Sequence, residues 1–219
     1  MIITIDGPAG SGKSTISKML AQKLGISFLD TGAMYRAVTL QILNSKTPIA
    51  ESAQMENLLD SIELKLDGGR IYLNGRDVSG EIRAAEIDRN VSKVSELRSV
   101  RVKMTALQQK TACRRDYVCE GRDMGSAVFP DADFKFYLDA SPGERARRRA
   151  EQLKRNGMLA SIDNAVLARL KDEMIERDRQ DTARELSPLT VPVGAVVIDT
   201  TGLSLRDVLQ KIVSSVDKK

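Results

Sequence analysis

Gly7, Gly12, Lys13 and Ser14 stand at the spacing G-x-x-x-x-G-K-[ST] inside IITIDGPAGSGKSTISKMLAQKLG. Such a loop is built for phosphate chemistry. Glycines let successive backbone N–H groups turn inward around phosphate oxygens, the lysine reaches the β- and γ-phosphates, and the hydroxyl after it suits Mg²⁺. The helix that follows adds partial positive charge. The run Gly7, Pro8, Ala9, Gly10, Ser11, Gly12, Lys13, Ser14 and Thr15 is therefore expected to hold the phosphates of a nucleotide. What it leaves open is where the terminal phosphate goes: to water, to a protein or to a small acceptor.

Three further groups of residues bear on the acceptor. FLDTGAMYR puts Thr31 and Gly32 at a second strand-to-helix junction, with Tyr35 and Arg36 one turn in, and Thr31 is the expected helix cap. DYVCEGRDMG ends a strand on Glu120, Gly121, Arg122 and Asp123, at the edge where open α/β sheets bind ligands. In EMIERDRQDTARELSPL, the residues Arg177, Asp181 and Arg184 recur at i, i+4, i+7. At about 100° per residue they share roughly 60° of one helix face. By itself that spacing fits a solvent face stitched by weak ion pairs. Arg145, Arg147, Arg148, Arg149 and Arg155 lie just upstream, a density that suits either a nucleic-acid patch or a lid closing over phosphates.

The elements that must position these residues alternate. IITID reads as a buried parallel strand, with no signal peptide ahead of it, and Ile16, Met19, Leu20 and Leu24 repeat at helical spacing up to Gly25. ISFLD, DYVCEG, FKFYLDA and GAVVIDT are further strands; TGAMYRAVTLQIL and LSLRDVLQKIVSSV are helices. IELKLDGGRIYLNGRDVSG alternates apolar and polar residues around Gly68-Gly69 and Asn74-Gly75, an antiparallel signal that marks an insert. The expected fold is α/β: a P-loop core whose parallel sheet carries helices on both faces, with a small antiparallel sheet and a helical segment added.

Composition narrows the function classes. The chain has 219 residues, 42% hydrophobic and 29% charged, ordinary for a globular protein, and no run long enough for a membrane helix. It has no histidine, so the commonest general base and transition-metal ligand are absent. Its two cysteines, Cys113 and Cys119, match no metal or redox spacing and are expected to be reduced thiols of a cytoplasmic protein. A net charge of +4 suits anions without naming nucleic acid.

IDGPAGSGKST, LDTGAMYR, GRDVSGEIR, EGRDMGSAVFPDA, LDASPGERARRR and RDRQDTARELSPL together resemble the bacterial cytidylate kinases, over nearly the whole chain. The resemblance implies one kinase domain over 1–219, with a core at about 1–35, 105–140 and 185–219. A monophosphate-binding insert would fill about 36–104, and a mobile lid about 141–184. It implies transfer of the γ-phosphoryl of ATP to CMP or dCMP with Mg²⁺, and no membrane or nucleic-acid partner. Carried over by motif, Lys13, Arg122, Arg177 and Arg184 are the catalytic residues. Thr31, Arg36 and Arg122 face the acceptor's phosphate, Tyr35 belongs to the substrate-binding set, and Ser92, Arg101 and Asp123 read the cytosine. Arg177, Asp181 and Arg184 reach sugar and phosphates, one of Arg145, Arg148 and Arg149 clamps the transferred group, and Ser14 and Glu120 face the metal. Thr31 departs from the serine common among relatives but keeps the hydroxyl. The chain is expected to be monomeric.

Three rivals frame the expectation. An alcohol kinase on the same core would need a carboxylate base and would leave Ser92, Arg101 and Asp123 unexplained. A GTPase switch would need an N-K-x-D signature, which the sequence lacks. A nucleic-acid module would want more stacking platforms than four tyrosines and four phenylalanines. UMP remains open as a side substrate.

Overall fold

The fold is described from a computed structural model, which places residues 1–113 and 116–216. Among the described residues five strands form one parallel sheet: β1 (Ile2–Asp6), β2 (Ser27–Asp30), β6 (Tyr117–Glu120), β7 (Phe134–Asp139) and β8 (Val196–Asp199). Their order is β2-β6-β1-β7-β8, so the strand feeding the glycine loop is central. Ile5 lies beside Glu120 on one side and Phe136 on the other. Glu120 in turn pairs with Asp30 of β2. Three chain segments that carry candidate residues thus end together at the carboxyl edge of the sheet.

Alternation along the strands divides the core. Ile3, Ile5, Val118, Phe136, Leu138 and Ile198 point to one face, under α1 (Lys13–Leu24) and α8 (Leu205–Val216). Cys119 and Leu29 point to the other, under α2 (Thr31–Asn44) and α5 (Arg98–Ala112). Apolar residues on both faces are what a buried parallel sheet requires.

The same second core extends through α3 (Ala53–Asp60) and α4 (Ala85–Glu96) to a three-stranded antiparallel sheet. That sheet runs β3 (Leu64–Asp67), β4 (Arg70–Leu73), β5 (Arg76–Asp77). Its turns are two residues long, with positive φ at Gly68 (55°), Gly69 (78°), Asn74 (49°) and Gly75 (80°), as tight hairpins demand. The last two helices before β8 form a separate unit. In α6 (Pro142–Arg155) Ala146 and Ala150 pack on Leu170 and Met174 of α7 (Asn164–Ala183). Ala9 of the glycine loop packs against this pair, so the loop and the arginine-rich helices share an apolar contact.

Two expectations shift at helix ends. Thr31 is not the cap of α2. Asp30 is, its carboxylate accepting the Ala33 N–H at 2.8 Å, while Thr31 is the first helical residue. Aspartate outranks threonine as a cap, and the register of β2 leaves Asp30 at the junction. Arg184 likewise does not continue α7. It is the residue after the helix, with φ −58° and ψ 136°, and only its side chain returns to the helix.

Candidate active site

The loop between β1 and α1 is shaped by close approach. A Cβ on Gly7 would lie 2.0 Å from the Leu138 carbonyl oxygen, and its φ of 141° excludes other residues. Gly10 faces α7 instead, where a Cβ would come 2.5 Å from the Met174 methyl. Gly12 caps α1 without a side-chain acceptor, and the first turn carries no acid. The N–H groups of that turn therefore face the cavity with no carboxylate competing for them. Lys13 curls back so that Nζ donates to the Pro8 carbonyl at 2.7 Å, and the Ser11 hydroxyl donates to the same oxygen at 3.1 Å.

A cavity of about 900 Å³ opens in front of this loop. Gly10, Gly12, Ser14 and Thr15 line it at one end. Thr31, Tyr35, Arg36, Ser92, Arg101, Arg122, Asp123, Arg177, Asp181 and Arg184 line it as well. Gly7, Pro8 and Ser11 support the loop from behind. The spaced candidates thus converge on one space.

Electrostatics is the marked feature of that space. Burial, with Arg122 alongside, pulls the Lys13 ammonium well below its ordinary pKa. Burial and Arg122 also pull Arg177 down to about 10. Arg177 Nε has no hydrogen-bond partner among the described residues. Arg122 fares differently: burial opposes its charge, but Asp181, at 2.9 Å from Nε, raises its pKa on balance. Asp181 is 1% exposed and also binds Arg184, so it is no part of a solvent face. Cations crowded together with depressed pKa values describe a site that favours an anion.

The far end is drier. Arg101 and Asp123 are 3% exposed each and form an ion pair. Arg101 also donates to the Ser95 carbonyl at 3.1 Å and sits 5.8 Å from the Tyr35 ring centroid. Burial raises the Asp123 pKa, opposed by Arg101 and Arg184. A carboxylate, a guanidinium and the hydroxyl of Ser92 lining one cavity can address the edge of a base.

A family model described as cytidylate kinase matches residues 3–218. The chain belongs to the cytidylate kinase family. It is 43% identical over 216 residues to the cytidylate kinase of Caldanaerobacter subterraneus subsp. tengcongensis, covering 99% of this chain and 94% of that one. It is 41% identical over 223 residues to the cytidylate kinase of Carboxydothermus hydrogenoformans, covering 100% and 98%. A solved structure of an uncharacterized protein from Eubacterium ventriosum is similar in fold alone, at 14% identity and a TM-score of 0.52 over 100% of this chain and 99% of that one. Family membership makes the chain a nucleoside monophosphate kinase, a phosphotransferase. The alcohol-kinase and GTPase readings fall with it.

Some side chains do other work than the sequence suggests. Thr31 donates its hydroxyl proton to the Glu120 carbonyl at 2.6 Å, tying the start of α2 to the end of β6. Among the arginines of α6, Arg145 is committed to the Ala140 and Ala9 carbonyls, each at 3.0 Å, and to Asp178. It holds the start of α6 to the glycine loop. Arg148 donates to Glu144 and Thr200. Arg149 donates to Gln152 and Asp88. These two line the cavity.

Sequence reasoning passed over Asp6, Asp88 and Ser95. Asp6 is fully buried and accepts the Met124 and Gly125 N–H groups at 2.8 Å each, which fixes the turn after Asp123. Ser95 accepts from Arg184 at 2.8 Å. Neither the type nor the spacing of these residues marks them. Asp30 stood within a quoted segment, and the preference of caps for aspartate was the available signal.

Glu120 and Ser14 bear on a metal. Burial, with Asp30 near, raises the Glu120 pKa, and Ser14 lines the same cavity. A buried carboxylate beside a hydroxyl, both hard oxygen donors, is a set that a Mg²⁺ ion shared with phosphate oxygens would fit.

Proposed function

We propose that the chain transfers the γ-phosphoryl of ATP to CMP and dCMP across this cavity, with the donor over the glycine loop and the acceptor beside Arg36, Arg122 and Asp123. The observation that carries the assignment of ends is charge. Lys13, Arg122 and Arg177 crowd one cavity with their pKa values pushed apart, Arg36 lines it with them, and the buried Asp123–Arg101 pair lines the same cavity. Two polyanions meeting head-on need such a centre.

In this reading the loop amides and Lys13 hold the β- and γ-phosphates. An oxygen of the CMP phosphate attacks the γ-phosphorus as the bond to the β–γ bridging oxygen breaks, leaving ADP and CDP. The acceptor's second pKa is near 6, so the attacking oxygen is already deprotonated at neutral pH and no base is needed. A site without histidine is no handicap, because positioning and charge neutralisation supply most of the catalysis. Arg122, Arg177 and Arg184 neutralise the equatorial oxygens, and Asp181 keeps Arg122 and Arg184 in place. Mg²⁺ held at Ser14 and Glu120 would supply charge neutralisation on the donor phosphates.

Cytosine presents an N4 amino donor, which the Asp123 carboxylate can accept, and ring acceptors that Arg101 or Ser92 can answer. The helices α6 and α7 act as the lid and 36–104 as the acceptor insert, on the same core. We place the enzyme in the cytoplasm, as a monomer. Arg36→Ala and Arg122→Ala test the assignment of ends. Each is expected to weaken CMP binding by calorimetry roughly 10-fold or more, while ATP binding changes little. Normal CMP affinity in both would overturn it.

A further inference from the structure

Asp88 belongs to no motif, yet the insert and the lid helices meet on its side chain. It stands in the first turn of α4 and lines the cavity. One carboxylate oxygen accepts from Arg36 of α2, and the other accepts from Arg149 of α6 at 2.9 Å. Each guanidinium is also held from a second side. Arg36 donates to the Ile82 carbonyl at 3.1 Å, and Arg149 donates to Gln152 at 2.8 Å. The two arginines would repel if brought together alone, and a single carboxylate shared between them removes that cost. An exposed ion pair would matter little. Here Arg36 is 13% exposed and Asp88 26%, and Arg177 of α7 adds its charge from above. Three helices from separate parts of the chain therefore face one acid.

We propose that Asp88 is a positioning residue that sets Arg36 for the acceptor's phosphate and ties Arg149 of the lid to that setting, coupling acceptor binding to lid placement. This rests on Arg36 contacting that phosphate, as proposed above. The carboxylate fixes the guanidinium plane, so that the remaining N–H groups of Arg36 face the cleft. Through its other oxygen it makes the position of α6 depend on the same charge. Asparagine at this position keeps the shape but can accept strongly from only one arginine and carries no charge. The acceptor end should then suffer first, and the donor end should not.

The test is a double-mutant cycle of Asp88→Asn with Arg149→Ala, read as KM and kcat for CMP and for ATP, with Asp88→Glu as the conservative rescue. Asp88→Asn is expected to raise KM for CMP roughly 5- to 20-fold, the effect of a half-buried charged hydrogen bond, and KM for ATP less than about twofold. The losses in KM for CMP of the two single changes should be less than additive in the double variant, because both act on the one shared carboxylate. Asp88→Glu should recover part of the loss. Additive losses, or an Asp88→Asn enzyme with a lower melting temperature and unchanged KM and kcat, would overturn the coupling. Arg36→Ala, measured by CMP calorimetry, separates the two readings. If it binds CMP normally, the phosphate assignment has failed and the coupling with it. If it binds CMP weakly while the cycle is additive, only the coupling has failed.

Discussion

In the proposed reading Lys13 trades stability for chemistry. Its ammonium is held at the Pro8 carbonyl in a buried place, beside Arg122, where its charge is disfavoured. Lys13→Met is therefore expected to lower kcat by roughly 10²- to 10³-fold, the usual cost of losing a preorganised charge. The melting temperature of the nucleotide-free protein should stay level or rise. In the proposed reading Asp123 carries selectivity. Asp123→Asn should reduce kcat/KM for CMP by about 10- to 150-fold, as a charge-assisted hydrogen bond weakens. It should reduce that for UMP less, because an amide can donate to the carbonyl that uracil presents; an unchanged CMP/UMP ratio would shift base reading to Ser92 and Arg101. Asp6 makes a pH prediction. Burial pushes its pKa up to about 6, above the ordinary value of 3.8. Between those values the folded chain keeps a proton that the unfolded chain has released, so this group's contribution to stability declines as pH rises from about 4 to 6. The wild-type advantage over Asp6→Asn in denaturant unfolding should therefore shrink across that window, by about 2–3 kcal/mol. A constant difference would show that Asp6 titrates as in the unfolded chain.

At the scale of elements, most of the fold is legible because period and punctuation agree. The strand IITID, the helix stopped by Gly25 and the turns at Gly68-Gly69 and Asn74-Gly75 each follow from local rules that tertiary packing did not override. The acceptor-site segments are legible only jointly, since Arg122-Asp123 or Arg177 alone is indistinguishable from a surface charge. What stays hidden is which partner each charge takes. Arg145 looks equivalent to Arg148 and Arg149 in ERARRR, and only the packing of α6 against Ala9 sends it to the glycine loop. Arg184 continues a helical spacing but lies past the last turn. Asp88 and Asp6 meet their partners across 52 and 118 positions of chain, and no local pattern reports that. Packing also separates the two cysteines. Cys119 sits in β6, buried, with its thiol pushed up to about 12, whereas Cys113 at the end of α5 is exposed. Under native conditions a thiol reagent should modify Cys113 and spare Cys119, and both should react in denaturant; equal native reactivity would contradict the burial of that strand.

Across the whole molecule, a chain with only a slight excess of positive charge concentrates it in one cleft. Its arginines are held by Asp88, Asp123 and Asp181, each of which faces inward from a different element. In the proposed reading two polyanionic substrates bring the charge that this cleft favours, and α6 and α7 shield the transfer from water. No described helix is long and apolar enough to cross a membrane. The central claim is that this cleft passes phosphate to a cytosine nucleotide and selects it by its base. It is tested most directly by kcat/KM for ATP-dependent ADP release over a panel of CMP, dCMP, UMP, AMP and GMP. The account predicts that CMP and dCMP lead, that UMP trails them, and that AMP and GMP fall lower by about 10²-fold or more, as expected when a buried polar pair is left unmatched. Turnover of AMP comparable to that of CMP, or ADP release that needs no monophosphate, would contradict it.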